Sequence, residues 1–268
     1  NWLVAIALLI GTPFFVVFGA LSDRIGRKPI ILAGCLLACL TYFPIFKAIT
    51  VAANPALAAA SSKAPVTVIA DPADCSFQFD PVGKKTFASS CDIAKSALAT
   101  AGVPYANQAA PAGTVAVVKI GEASVPSFDG VALPKKAFTD AKTAWGKTLG
   151  GALKTAGYPA KADPALMNKP AVVGLLFLLV LYVTMVYGPV AAALVEMFPA
   201  RIRYTSMSLP YHIGNGWFGG FLPTTAFAMV AATGDIYYGL WYPVIVAIIT
   251  VVVGLLFLPE TFKRDIDA

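Results

Sequence analysis

The sequence predicts an all-α polytopic membrane protein with five transmembrane helices and a small α+β extracytoplasmic insert. Hydrophobic residues make up 58% of the 268 residues and charged residues only 13%, whereas a soluble domain is about one-quarter charged. Apolar runs of about 20 residues, the length that crosses a bilayer, recur along the chain. The central residues 51–168 contain no such run and are rich in Ala, Pro, Gly and Lys. The bilayer is therefore the first predicted partner.

The first domain, residues 1–50, contains two predicted helices, at about 2–21 and 30–50, joined by a charged link at 19–29. Pro13 predicts a kink that a helix bundle can tolerate. The cations of so short a link predict that it lies in the cytoplasm. Its candidate functional residues are Gly19, Asp23, Arg24, Gly26, Arg27 and Lys28.

The second domain, residues 51–168, is predicted to lie on the opposite side of the membrane. Its β-branched segments at 66–70 and 114–120 predict strands, and residues 90–101 and 137–156 predict helices. Its only cysteines are Cys75 and Cys91, and the hypothesis is that they form a disulfide in an oxidising compartment. Cys35 and Cys39, one helical turn apart in the membrane, have no His or acid beside them and predict no metal site.

The third domain, residues 169–268, contains three further predicted helices at about 170–197, 205–232 and 238–258. Gly188-Pro189 marks a candidate hinge within the first of them. Charged residues at the predicted cytoplasmic ends form a candidate charge network, which consists of Glu196, Arg201, Arg203 and Glu260. Glu196 is expected to pair with Arg201, with Arg203 or with the link. All five arginines fall on the predicted cytoplasmic side, so the net charge of +6 reflects topology and predicts no nucleic-acid partner.

Three motifs resemble the major facilitator superfamily of secondary transporters. The link reads G-x-L-x-D-R-x-G-R-K, residues 196–205 read E-x-F-P-x-R-x-R-x-T, and residues 259–261 read P-E-T. The resemblance is to the sugar-porter-like branch and to the bacterial metabolite:H⁺ symporters. It implies a partial major facilitator fold, helices eight to twelve of twelve, whose N-terminal half is missing from this sequence. The start at Asn1 without an initiator Met also predicts a fragment. The insert departs from the family pattern.

The resemblance implies a proton-coupled symporter of a small organic solute, such as an organic acid or osmolyte. It implies alternating access, H⁺ as the driving ion, no cofactor and a bacterial inner membrane. One crossing from the cytoplasmic link then predicts that the insert lies in the periplasm. Candidate positions along a substrate or proton pathway are Tyr187, His212, Asn215 and Trp217. His212 is the only histidine, the side chain that titrates nearest neutral pH. Packing or interfacial roles remain open for all four.

Two other classes of function are a sensing module and an enzyme. In the alternative hypothesis, the helices anchor a sensing module whose insert binds a ligand or partner. An enzyme is not predicted, because the sequence shows no Ser/His/Asp set, no metal-ligand cluster and no phosphate-binding loop. The charged link favours the transporter, since an anchor has no need of it.

Overall fold

The computed structural model describes residues 2–264, which form two compact units. The first unit consists of residues 2–52, 168–222 and 240–264. The second consists of Ala53–Met167 together with Pro223–Gly239. The insert is therefore grouped with a segment that lies much later in the chain.

Most of the described chain is helical. The α-helices are α1 (Trp2–Gly11), α2 (Phe14–Ile25), α3 (Arg27–Ala53), α4 (Pro55–Lys63), α5 (Ser90–Ala101), α6 (Lys135–Thr155), α7 (Lys169–Met197), α8 (Arg203–His212), α9 (Gly220–Thr233) and α10 (Trp241–Phe257). A π-helix at Ile213–Gly219 connects α8 to α9, and a 3₁₀ turn at Tyr238–Leu240 precedes α10. The strands are β1 (Val66–Ala70), β2 (Tyr105–Ala109), β3 (Val117–Ile120) and β4 (Ala123–Pro126).

Four segments of the described chain are long and apolar enough to cross a membrane, so this is a multi-pass membrane protein. They are Trp2–Ile25, Arg27–Ala53, Lys169–Met197 and Tyr238–Phe257. The segment predicted as the fourth helix is helical from residue 203 to residue 233, but the π-helix divides it and it is not among these four. A fifth crossing therefore stays a prediction.

The link between the first two predicted helices is much shorter in the structure than in the prediction. Residues 19–25 continue α2 and residues 27–29 begin α3, which leaves Gly26 alone outside a helix. Polar residues extend α2 because they bond within it: the Ser22 hydroxyl donates to the Gly19 carbonyl at 2.6 Å. At Pro13, where the sequence predicts a kink within one helix, the structure has a short break between α1 and α2.

The second unit contains a mixed four-stranded sheet in the order β2-β1-β3-β4. Strand β1 pairs parallel with β2, through the crossover helix α5, and antiparallel with β3, which forms a hairpin with β4. Alternate residues of β1, Val66, Val68 and Ala70, are buried. They pack in one core with α5 and with Trp145 of α6. The sequence predicted β1, a strand at 114–120 that contains all of β3, and both large helices, but not β2 or β4.

Helix α5 begins and ends as its sequence predicts. The Ser89 hydroxyl accepts a hydrogen bond from the Asp92 N–H at 3.1 Å, which caps the first turn. Gly102 ends the helix with a left-handed φ of +66°. Close to the first of these caps, Cys75 and Cys91 are joined by a disulfide that closes a segment of 16 residues.

We expect loss of this disulfide to weaken the insert considerably. A cross-link over a loop of this length contributes about 3 kcal/mol by restricting the unfolded chain. Cys75→Ser/Cys91→Ser should therefore lower the urea midpoint of the insert. Trp145 fluorescence would report the transition in a variant whose other three tryptophans are phenylalanine.

The matched control for this experiment is Cys35→Ser, which removes a free thiol from α3. It should leave the Trp145 transition where it was. An equal shift in both variants would contradict a specific contribution from the disulfide.

The two ends of the insert leave the first unit at one place. The Asn168 N–H, just before α7, donates to the Ala52 carbonyl near the end of α3, at 2.9 Å. The Asn168 side chain also accepts from the Ala171 N–H at 3.2 Å and caps α7. The chain thus returns to the helices where it left them.

Candidate functional site

Arg27 lies at the centre of a polar network in the first unit. It is the first residue of α3, and only 10% of its side chain is exposed. Its Nη2 donates to Glu196 Oε1 at 2.8 Å, and its Nε lies 3.2 and 3.3 Å from the two Glu196 oxygens. Glu196 belongs to the last turn of α7 and is 9% exposed. This mostly buried ion pair joins the start of α3 to the end of α7.

The remaining nitrogen of the guanidinium faces α2. Arg27 Nη1 donates to the Ser22 hydroxyl and to Asp23 Oδ1. Ser22 is fully buried, whereas the Asp23 side chain is 62% exposed. Because ion pairs in contact with water contribute little to stability, Glu196 holds Arg27 more firmly than Asp23 does.

Glu260 caps the N-terminus of α3. Its Oε1 accepts from the Arg27 N–H at 2.9 Å and its Oε2 from the Lys28 N–H at 3.1 Å. A carboxylate here satisfies unpaired helix donors and interacts favourably with the helix dipole. The next residue, Thr261, donates its hydroxyl to Glu196 Oε2 at 2.7 Å. The P-E-T segment therefore bonds both α3 and α7.

Gly26 allows Glu260 to approach this closely. Its φ of +107° and ψ of 155° are accessible only to glycine. A side chain at this position would also overlap the Glu260 carboxylate. On the far side, the Lys28 ammonium donates to the Leu255 carbonyl of α10 at 3.0 Å. Segments from α2, α3, α7 and α10 thus meet around the link.

The other predicted arginines are Arg24, Arg201 and Arg203. Arg24 and Arg201 are exposed, and Arg203 donates through Nε to the Phe198 carbonyl at 3.1 Å. Of the partners proposed for Glu196, the structure pairs it with Arg27 of the link.

The four predicted pathway residues lie on α7, on α8 and along the π-helix. The Tyr187 hydroxyl donates to Asn215 Oδ1 at 3.2 Å, which links α7 to the π-helix. His212 donates from Nδ1 to the Ser208 carbonyl in its own turn at 2.7 Å. Trp217 is 66% exposed. The structure brings Tyr187 and Asn215 together, while His212 bonds within its own turn. π-Helical turns are frequent at functional sites.

Comparisons with known proteins agree with this arrangement of motifs. A family model described as "Sugar (and other) transporter" matches residues 148–268, from within α6 to the end of the chain. A citrate-proton symporter from Klebsiella pneumoniae is 36% identical over 83 residues, which cover 28% of this chain and 18% of that protein. The C-terminal part of the chain, residues 148–268, is therefore similar to this family of transporters.

The matched stretch thus spans less than one-fifth of the length of that curated relative. No solved structure matches the chain. Both the family model and the relative are named as transporters, and neither is named as an enzyme. Among the described residues, no group of three or more His, Cys, Asp or Glu could hold a metal ion.

Two network residues were missed by sequence reasoning. Ser22 and Thr261 are both almost fully buried, at 0% and 2% exposure, and both donate or accept within the Arg27–Glu196 cluster. Their position could have indicated this role, because each lies inside a motif and directly beside an acidic residue of the network, Asp23 or Glu260. A serine or threonine at a helix end usually satisfies local backbone groups, which hid their long-range role.

The Glu260 cap should make the stability of this protein depend on pH. Burial raises the pKa of the Glu260 carboxyl. Hydrogen bonds from the backbone N–H groups of Arg27, Thr261, Phe262 and Lys28 together lower it by more than burial raises it, so the pKa of Glu260 lies below its ordinary value. The cap therefore contributes fully above the unfolded pKa, about 4.3. Its contribution is lost as pH falls through the lower, folded pKa.

Thermal unfolding of the purified chain in detergent between pH 7 and pH 3 would measure this dependence. Glu260→Gln should lower Tm at pH 7 and reduce the acid-induced decline. The control Glu122→Gln removes an exposed glutamate of the insert and should leave the decline unchanged. Identical pH profiles for the unmodified chain and Glu260→Gln would contradict a stabilising role for the cap.

Proposed function

We propose that this chain is part of a proton-coupled symporter that carries a small organic solute, such as an organic acid or osmolyte, by alternating access. The observation that carries the proposal is the Arg27–Glu196–Glu260 network. It connects the three motif segments through a mostly buried ion pair and a helix cap. Contacts of this kind between helix ends can hold one conformation and be exchanged when the helices move.

The proposed solute class and coupling ion rest on the comparisons with known proteins and not on the Arg27–Glu196–Glu260 network. The family model is described as "Sugar (and other) transporter", and the matched relative is described as a citrate-proton symporter. Asn215 and Trp217 lie on the π-helix, and Tyr187 reaches it from α7. These residues line the solute pathway in this proposal. The principal proton-coupling acids lie in an N-terminal half that pairs with this chain, and no cofactor takes part.

The proposed location is the bacterial inner membrane, with the network in the cytoplasm and the insert in the periplasm. Arg24 and Arg27 near the end of the α2 span support a cytoplasmic network, because cations near span ends favour that side. The Cys75–Cys91 disulfide supports an oxidising compartment for the insert. The proposed partners are the bilayer, the solute and the N-terminal half.

Uptake by the full-length transporter in proteoliposomes tests this function. An inward proton gradient would be imposed with a panel of labelled organic acids, betaines and sugars. Uptake of one class that stops when a protonophore removes the gradient is the expected result. Uptake unaffected by the protonophore would overturn proton coupling. Binding of a panel compound by the purified protein without any uptake would instead support the sensing module.

A further inference from the structure

The second unit contains a cavity of about 340 Å³ beside its sheet. Its walls include Val68 and Ala70 of β1, which are buried in the core of the insert, and Cys75 of the disulfide. Cavities that bind small molecules are mostly apolar, have volumes of about 300–1,000 Å³ and carry few polar groups. This cavity has the size and the lining of a site for a small ligand.

Lys95 is the one charged residue among the described residues that line the cavity. It lies on α5 one turn after Cys91, so the cation and the disulfide share a face of that helix. Only 8% of Lys95 is exposed, and burial lowers its pKa. A charge taken out of water is costly unless an opposite charge or hydrogen bonds compensate for it.

No acidic side chain of the described residues forms an ion pair with Lys95. Asp92, on the same helix, acts on Lys95 only through its charge at a distance. Its carboxylate accepts from the N–H and from the hydroxyl of Ser76, each at 2.8 Å. The Lys95 ammonium donates to the Ala232 carbonyl at 3.4 Å. Because an ammonium has three donors, Lys95 retains donors and charge for a further acceptor.

The end of α9 does not explain the burial of this cation. Carbonyl groups at the C-terminus of a helix attract cations, and Lys95 donates to one of them. The Tyr105 hydroxyl and the Asn107 amide, however, already donate to the carbonyls of residues 231–233, at 2.6 to 3.3 Å. The contact made by Lys95 is therefore a second one to a carbonyl that has a partner.

We propose that this cavity binds a small organic monocarboxylate, whose carboxylate pairs with Lys95 and whose hydrocarbon part packs against Val68 and Ala70. One cation matches one negative charge, whereas phosphate groups are commonly held by several charged or bidentate donors. The apolar wall favours a ligand that has apolar surface to bury. The site belongs to the insert and does not depend on the proposed function.

Isothermal titration calorimetry of the 268-residue chain in detergent micelles tests the class of ligand. The probes are butyrate, its uncharged analogue butyramide, and inorganic phosphate. Butyrate should bind, and butyramide and phosphate should bind about tenfold more weakly or less, since hydrogen bonds to a charged partner contribute more than neutral ones. Equal affinity for butyrate and butyramide, or no binding of butyrate at millimolar concentrations, would overturn the proposal. Tighter binding of phosphate than of butyrate would also overturn it.

Lys95→Met tests the cation, because methionine keeps an unbranched side chain without the charge. The Kd for butyrate should rise about tenfold or more. The matched control is Lys119→Met, which removes an exposed lysine of β3 and should leave the Kd unchanged. Thermal unfolding of both variants checks that the insert remains folded. Unchanged affinity in Lys95→Met would overturn the role of Lys95.

A second variant fills the cavity and leaves Lys95 in place. Ala109 lines the cavity but is exposed on β2, so Ala109→Leu should be tolerated by the fold and should weaken butyrate binding severalfold. Ala106→Leu makes the same change at an exposed position of β2 that does not line the cavity, and should bind butyrate normally. Equal affinity in the two variants would show that the carboxylate binds elsewhere and would overturn the proposal, even if Lys95→Met fails to fold.

Discussion

Arg27→Ala is expected to reduce gradient-driven uptake by the full-length transporter about 100-fold. The substitution leaves the Glu196 carboxylate, which is 9% exposed, without its partner. Breaking a buried ion pair costs about 3 kcal/mol or more, and each 1.4 kcal/mol corresponds to about a tenfold change in an equilibrium. The conformation that joins α3 to α7 should therefore become a minor population. Initial uptake rates in proteoliposomes with an imposed pH gradient measure this directly.

Three further variants separate the roles of charge, geometry and packing at this site. Arg27→Lys keeps the charge but loses the two-pronged contact with Glu196, and should recover only part of the uptake. Arg27→Ala/Glu196→Gln removes the unpaired charge and should restore thermal stability without restoring uptake. Asp23→Asn alters only the exposed arm of the network and should leave Tm nearly unchanged. Normal uptake by Arg27→Ala would contradict the gating role of the ion pair.

Gly26→Ala is expected to have the second-largest effect. Alanine cannot adopt the Gly26 backbone conformation without strain of about 1–3 kcal/mol, and its Cβ would displace the Glu260 carboxylate. The α3 cap would lose both of its hydrogen bonds. We expect a lower Tm for the purified chain and at least a tenfold loss of uptake in the full-length transporter.

The link supplies its own control for this substitution. Gly19 belongs to the same motif but lies inside α2, and a Cβ there would meet only the Gly188 carbonyl at an ordinary 3.9 Å. Gly19→Ala should therefore be tolerated or slightly stabilising, since alanine favours helices. Equal damage from both substitutions would show that the backbone conformation of Gly26 is not the reason for its glycine.

From the sequence, it was easier to choose candidate residues for the network than to say which of them pair with one another. Asp23, Arg27, Glu196 and Glu260 stood out because charges are rare in so apolar a chain. Nothing in one sequence chooses between Arg27, Arg201 and Arg203 as the partner of Glu196. That choice depends on which helix ends meet in space, more than 160 residues apart along the chain.

Secondary structure was predicted best where local chemistry decides it. Helix α5 matched at both ends, because Ser89 and Gly102 satisfy its terminal groups locally. The link was predicted too long because polar residues after an apolar run resemble a loop. Strand β2 escaped notice because only Tyr105 among its five residues is buried, so the strand lacks an alternating apolar pattern. It is an edge strand whose first residue contacts α9, a partner that no local pattern reveals.

The hydrogen bond between Ala52 and Asn168 indicates that the insert can be replaced by another domain. The two ends of the insert lie next to each other in space. A segment of this kind can be exchanged for another folded module without displacing the flanking helices. Grafting a circularly permuted fluorescent protein at this point should therefore preserve α3 and α7. The emission of such a graft during solute addition would report movement of the ends of α3 and α7.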